Sequence, residues 1–121
     1  MVLGFLKLDP KWTPFFWIWA PANLFLTVLS EEAFFRGFIQ HELSAALAGS
    51  RHAAWVAVAV SAVTFGTAHF AGGWTYVSLA TAAGVGYALA FQRTGRIEAS
   101  MLAHFALNAT HFLLFTYPRS A

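Results

Sequence analysis

The side chains able to do chemistry fall in three short runs, each set in apolar sequence. The first is Glu31-Glu32-Ala33-Phe34-Phe35-Arg36-Gly37, with Phe25-Leu26-Thr27-Val28-Leu29 before it and Phe38-Ile39 after it. Glu32 and Arg36 are four apart, so on a helix they share a face and can pair. Glu31 points about 100° away around the same helix and keeps no local partner. The second run is Phe65-Gly66-Thr67-Ala68-His69, and the third is His104-Phe105-Ala106-Leu107-Asn108. In the third, a spacing of four places an imidazole and an amide on one face. Acid, imidazole, imidazole and amide together can activate a water and hold an oxyanion. Each run alone has a plainer reading: a structural ion pair, a hydrogen-bonded packing histidine, and interhelical hydrogen bonding. An ionised group at a bilayer centre costs roughly 2.5–3.5 kcal/mol on insertion scales. A structural role accounts for Glu32 with Arg36 at that cost, but not for a second glutamate.

Other catalytic signatures are missing. His41-Glu42 does not begin a zincin motif, because position 45 is Ala. No G-x-S-x-G elbow occurs, and without cysteine there is no thiol nucleophile. Gly84-Val85-Gly86 lacks a preceding strand and a third glycine, so it is not a nucleotide loop. His41 and His52 read as solvated, and His111 as a packing residue.

The elements that must position these groups follow from composition. Hydrophobic types make up 59% of the chain and charged types 10%, where a soluble domain has about 25% charged residues. Mean hydropathy is +0.61. From Ala53 to Gln92 there is no Asp, Glu, Lys or Arg. That is enough for two membrane crossings at about 20 residues each, with Ala71-Gly72-Gly73 as the turn. The expected fold is all-α: a polytopic transmembrane bundle of four main helices, over residues 21–47, 53–70, 74–92 and 97–115. Residues 1–20 are expected as an N-terminal interfacial segment with an aromatic belt of Trp12, Phe15, Phe16, Trp17 and Trp19. Residues 21–117 form the membrane-embedded core, closed by Pro118. Residues 1–6 are too short for a signal-peptide core, so the first helix is expected to serve as its own insertion signal. Short loops at Gly49-Ser50-Arg51-His52 and Arg93-Thr94-Gly95-Arg96 imply antiparallel neighbours. Ala80, Gly84 and Ala88, and likewise Ala82, Gly86 and Ala90, have the spacing of close-packing seams.

Net charge is +2, and the basic residues are scattered at the ends of the apolar runs. This is a membrane pattern and not that of a nucleic-acid binder. Lys7, Lys11 and Arg119 on one side balance Arg51, Arg93 and Arg96 on the other, so orientation stays open. Counting residues from the Gln40 and Arg96 ends puts Glu31 and Asn108 at similar depth, with His69 about 10 Å deeper.

The ordered set Glu31-Glu32 with Arg36, then Phe65 with His69, then His104 with Asn108 resembles the CPBP family of CAAX proteases and bacteriocin-processing enzymes. This is also called the type II CAAX prenyl protease and lysostaphin-resistance-like family. Phe35-Arg36-Gly37 matches its usual Phe-Arg-Gly, and the resemblance spans about residues 23–112. It implies a protease core over 21–117 acting as a glutamate-dependent intramembrane endopeptidase on a membrane-associated or lipid-anchored protein or peptide. Glu31 and His69 would activate the water, His104 and Asn108 would form the oxyanion hole, and Glu32 and Arg36 would support them. A metal-free site is favoured, because Asn is a poor zinc ligand and a good oxyanion donor. If zinc were present, Glu31, His69 and His104 would ligate it. The alternative is a non-catalytic bacteriocin-immunity or interaction protein of the same family. The expected location is integral membrane, in a bacterial inner (plasma) membrane. Family members usually carry more helices ahead of the double glutamate, whereas here residues 1–30 precede it. The resemblance leaves a minimal member, a fragment, or half of an assembly completed by an oligomer or by additional helices from a partner.

Overall fold

The computed structural model describes residues 7–8 and 13–116, and within them the chain is a helical bundle. Lys11, Trp12, Pro118 and Arg119, named above, lie outside the described residues.

The first rod keeps helical backbone over residues 16–46 but changes form along its length. It consists of α1 (Phe16–Ala22), π1 (Asn23–Val28), α2 (Leu29–Glu32), π2 (Ala33–Gln40) and α3 (His41–Ala46). It begins ahead of the expected residue 21 and carries Pro21 inside α1. Proline removes one i→i−4 bond and crowds the preceding turn, and the ladder passes into the wider π form two residues later. Trp19 packs on the last helix, 4.4 Å from Phe112 and 6.1 Å from Phe105, ring centre to ring centre. Part of the expected aromatic belt is therefore bundle packing, whereas Phe15 and Trp17 stay exposed.

Three helices follow: α4 (Ala53–Thr67), α5 (Trp74–Thr94) and α6 (Ile97–Leu114). A 3-10 turn at Phe70–Gly72 joins α4 to α5, and Gly73 there takes φ 93°. Gly95 ends α5 in the left-handed region at φ 71°, with its N–H donating to the Phe91 carbonyl at 2.7 Å, the usual glycine termination. At the ends, Lys7–Leu8 pairs antiparallel with Phe115–Thr116, Lys7 opposite Thr116 and Leu8 opposite Phe115.

Only one of the two small-residue seams lies in an interface. Ala80, Gly84 and Ala88 are buried, while Ala82 and Gly86 are exposed. A Cβ on Gly84 would stand 3.1 Å from Phe65 Cδ1 and 3.3 Å from Ala62 Cα. The seam also bares α5 carbonyls to the first rod. Arg36 Nη2 donates to Gly84 O at 2.7 Å, and Gln40 Nε2 donates to Ala88 O at 2.9 Å. Two polar side chains four apart on π2 thus dock on two carbonyls four apart on α5. The widened i→i+5 turns of π2 alter the residue rows relative to an α-helix, and Glu32, Arg36 and Gln40 are all fully buried.

The distribution of polarity is inverted relative to a water-soluble bundle. Glu32, Arg36, Gln40, Ser61 and Ser100 have no exposure, while Leu26, Trp55, Trp74 and Leu102 are each more than 60% exposed. Even so, no helix among the described residues is long and apolar enough to cross a membrane. α4 is apolar but has 15 residues. α5 and α6 are longer, but Ser, Thr, Tyr, Gln, His and Asn dilute them.

Candidate active site

The first rod supplies two carboxylates with different surroundings. Glu32 is fully buried, and its Oε2 accepts from Arg36 Nη1 at 3.1 Å and from His104 Nδ1 at 2.8 Å. Arg36 is held from behind by Gly84 O, and its guanidinium lies 4.9 Å from the centre of the Phe65 ring and 5.5 Å from that of Tyr87. Those ring faces add cation–π attraction in a desolvated setting. Glu31, one residue earlier, has a side chain 26% exposed. One of its oxygens lies 3.6 Å from His69 Nε2 and the other 3.7 Å from His104 Nε2.

His69 is placed differently from the expected helix over 53–70. α4 stops at Thr67, and His69 precedes the 3-10 turn with φ −101° and ψ 20°. Its ring folds back so that Nδ1 lies 2.7 Å from the Phe65 carbonyl. The imidazole meets Glu31 at 3.6 Å, so the depth difference of about 10 Å obtained by counting a uniform helix does not keep the two side chains apart. A carbonyl oxygen only accepts, so Nδ1 carries a hydrogen, and Nε2 is the ring atom turned toward Glu31. His104 Nδ1 likewise carries a hydrogen, which it donates to the Glu32 carboxylate.

Asn108 is one turn along α6 from His104, and its Nδ2 donates to Asn23 Oδ1 at 3.2 Å. Asn23 opens π1 and was missed at the sequence level. Its one signal is that it is an amide in the otherwise largely apolar run 20–29. Two tyrosines of α5 were also missed. Tyr87 stacks on His104 with centres 4.5 Å apart and planes 14° apart. Tyr76 lies parallel to His69 at 5.7 Å and 8°. Phe65 sits between the two imidazoles, 4.7 Å from His69 and edge-on to His104 at 5.6 Å. His41 and His52 are exposed, as expected of solvated residues, and His111 is half-buried.

Among the described residues no group of three or more His, Cys, Asp or Glu side chains is arranged to hold a metal ion.

A partly exposed carboxylate thus lies between two imidazole Nε2 atoms, next in sequence to a buried ion pair. The sequence profile of the type II CAAX prenyl endopeptidase, Rce1-like family matches residues 13–110, and the chain belongs to that family of membrane-embedded proteases. This agrees with the resemblance carried by the three motifs. Neither a curated protein nor a solved structure matches the chain.

Proposed function

We propose that the chain is an intramembrane endopeptidase that hydrolyses a peptide bond in a membrane-associated or lipid-anchored substrate with a water activated by Glu31 and His69. The observation that carries this reading is the position of Glu31 between the two Nε2 atoms. Glu31 Oε2 and His69 Nε2 are two acceptors 3.6 Å apart, and a water donating one hydrogen to each would bridge them. In the hydrolysis, the water oxygen bonds to the scissile carbonyl carbon and its proton passes to Glu31. The resulting oxyanion accepts from His104 Nε2 and from the Asn108 amide. To donate there as well as to Glu32, His104 must carry both ring hydrogens, a charge that Glu31 compensates before the proton transfer and the oxyanion compensates after it. As the tetrahedral intermediate collapses, the C–N bond breaks and the proton on Glu31 goes to the leaving amine. Water is consumed, and one carboxyl and one amino terminus appear.

Asn23 holds one amide hydrogen of Asn108 and leaves the other for the oxyanion. Glu32 and Arg36 act through His104 and do not meet the substrate. An integral membrane setting is supported by the family, by the exposed aromatic and aliphatic surface, and by the interior placement of the charges. The test is the full chain in liposomes, offered a farnesylated C-terminal peptide and an unprenylated membrane-spanning peptide, with products read by mass spectrometry. His69→Ala and His104→Ala should each abolish cleavage. Cleavage that persists in both would remove the proposed roles. Protection against a bacteriocin that survives Glu31→Gln would favour the non-catalytic immunity or interaction reading.

A further inference from the structure

Each imidazole of the site is fixed by one hydrogen bond at Nδ1, to Phe65 O for His69 and to Glu32 for His104. A single bond leaves the ring free to turn about it, and turning would carry Nε2 away from Glu31. A flat surface against the face of the ring removes that freedom. α5 provides one for each histidine: Tyr76 is parallel to His69 within 8° and Tyr87 to His104 within 14°. The two tyrosines are eleven residues apart, close to three α-helical turns, so they project from the same face of one helix.

The turn before α5 is shaped around this contact. Gly72 has no need of a left-handed backbone, yet a Cβ there would stand 2.7 Å from Tyr76 Cδ2 and 2.9 Å from Cγ. Only a residue without a side chain lets the Tyr76 ring occupy its place beside His69. The neighbouring Gly73, at φ 93°, turns the chain into α5.

We infer that Tyr76 and Tyr87 are positioning residues, with α5 holding both imidazoles by ring stacking so that their Nε2 atoms converge on Glu31, and with Gly72 seating Tyr76. This deepens the protease reading and rests on it for the roles of the imidazoles, but the stacking can be read without turnover. The inference rests on the stacked rings.

The experiment uses the full chain with labelled histidine in detergent micelles or nanodiscs. The His69 ring protons are assigned by His69→Gln and followed by NMR in Tyr76→Phe, Tyr76→Leu and Gly72→Ala. The upfield ring-current shift should persist in Tyr76→Phe and be lost in Tyr76→Leu and Gly72→Ala. In the cleavage assay, kcat should fall about 2- to 10-fold in Tyr76→Leu, the range of one aromatic pair, with KM unchanged and Phe restoring it. Gly72→Ala guards against misreading a folding defect at Tyr76, because it displaces the ring while leaving it in the chain. The inference is overturned if His69 resonances in Tyr76→Leu match those of the unaltered protein, or if Tyr76→Phe is as impaired as Tyr76→Leu. Absence of turnover in the unaltered protein would count against the protease reading, while the resonances would still decide the stacking.

Discussion

Replacing Arg36 by methionine probes the buried framework of the site. The guanidinium is fully buried and makes two charged hydrogen bonds, to Glu32 Oε2 at 3.1 Å and to Gly84 O at 2.7 Å. At 3.1 Å, an effective dielectric of about 20 gives an attraction of about 5 kcal/mol. Much of that offsets the cost of desolvating both ions. The substitution leaves the Glu32 carboxylate buried with only the His104 imidazole beside it, and breaking such a pair costs about 3–5 kcal/mol. Equilibrium unfolding in mixed micelles should show a loss of this size for Arg36→Met. The double variant Arg36→Met/Glu32→Met should recover most of the stability, because the stranded charge is gone and methionine fills much of the volume. Activity should not recover, because His104 has then lost the acceptor at Nδ1. An Arg36→Met protein as stable as the original would refute the argument, as would a double variant no more stable than the single.

Two further outcomes follow from the geometry. Gly84→Ala pushes a methyl within 3.1 Å of Phe65 and 3.3 Å of both Ala62 and Arg36 Nη2, and should cost about 1–3 kcal/mol by overpacking, whereas Gly86→Ala meets nothing within 4 Å and should be close to neutral in the same unfolding measurement. Asn23→Ala should lower kcat about 3- to 10-fold with little change in KM, the scale of one lost hydrogen bond, and Asn23→Asp, which keeps an acceptor for the Asn108 amide, should restore most of it in the cleavage assay.

Much of the site was legible because it rests on local spacing. The Glu32–Arg36 pair follows from i,i+4 geometry, and the isolation of Glu31 on the rod follows from the same arithmetic. The seam at 80, 84 and 88 was legible as well, although spacing alone could not separate it from the exposed positions 82 and 86. What spacing missed depends on contacts across the bundle or on departures from uniform helix. The π form of residues 23–28 and 33–40 has no marker in the sequence beyond Pro21. His69 lies just past the end of α4, ahead of the 3-10 turn into α5, a departure from the expected helix over 53–70 that no residue pattern marks. Gln40 reads as a boundary residue, yet it is fully buried because the Ala88 carbonyl and the Gln92 amide oxygen lie within its reach. Tyr76 and Tyr87 are ordinary residues of an apolar helix until the fold lays them against the two imidazoles.

The assignment of Glu31 as the base that activates water is tested most directly by the cleavage rate of Glu31→Gln in reconstituted membranes. This carboxylate is partly exposed and stands outside the Arg36–Glu32–His104 hydrogen-bonded chain, so the variant should fold as the original does. Removing a general base should lower kcat by about 10²- to 10⁴-fold. A folded Glu31→Gln protein that cleaves within threefold of the original rate would contradict the account.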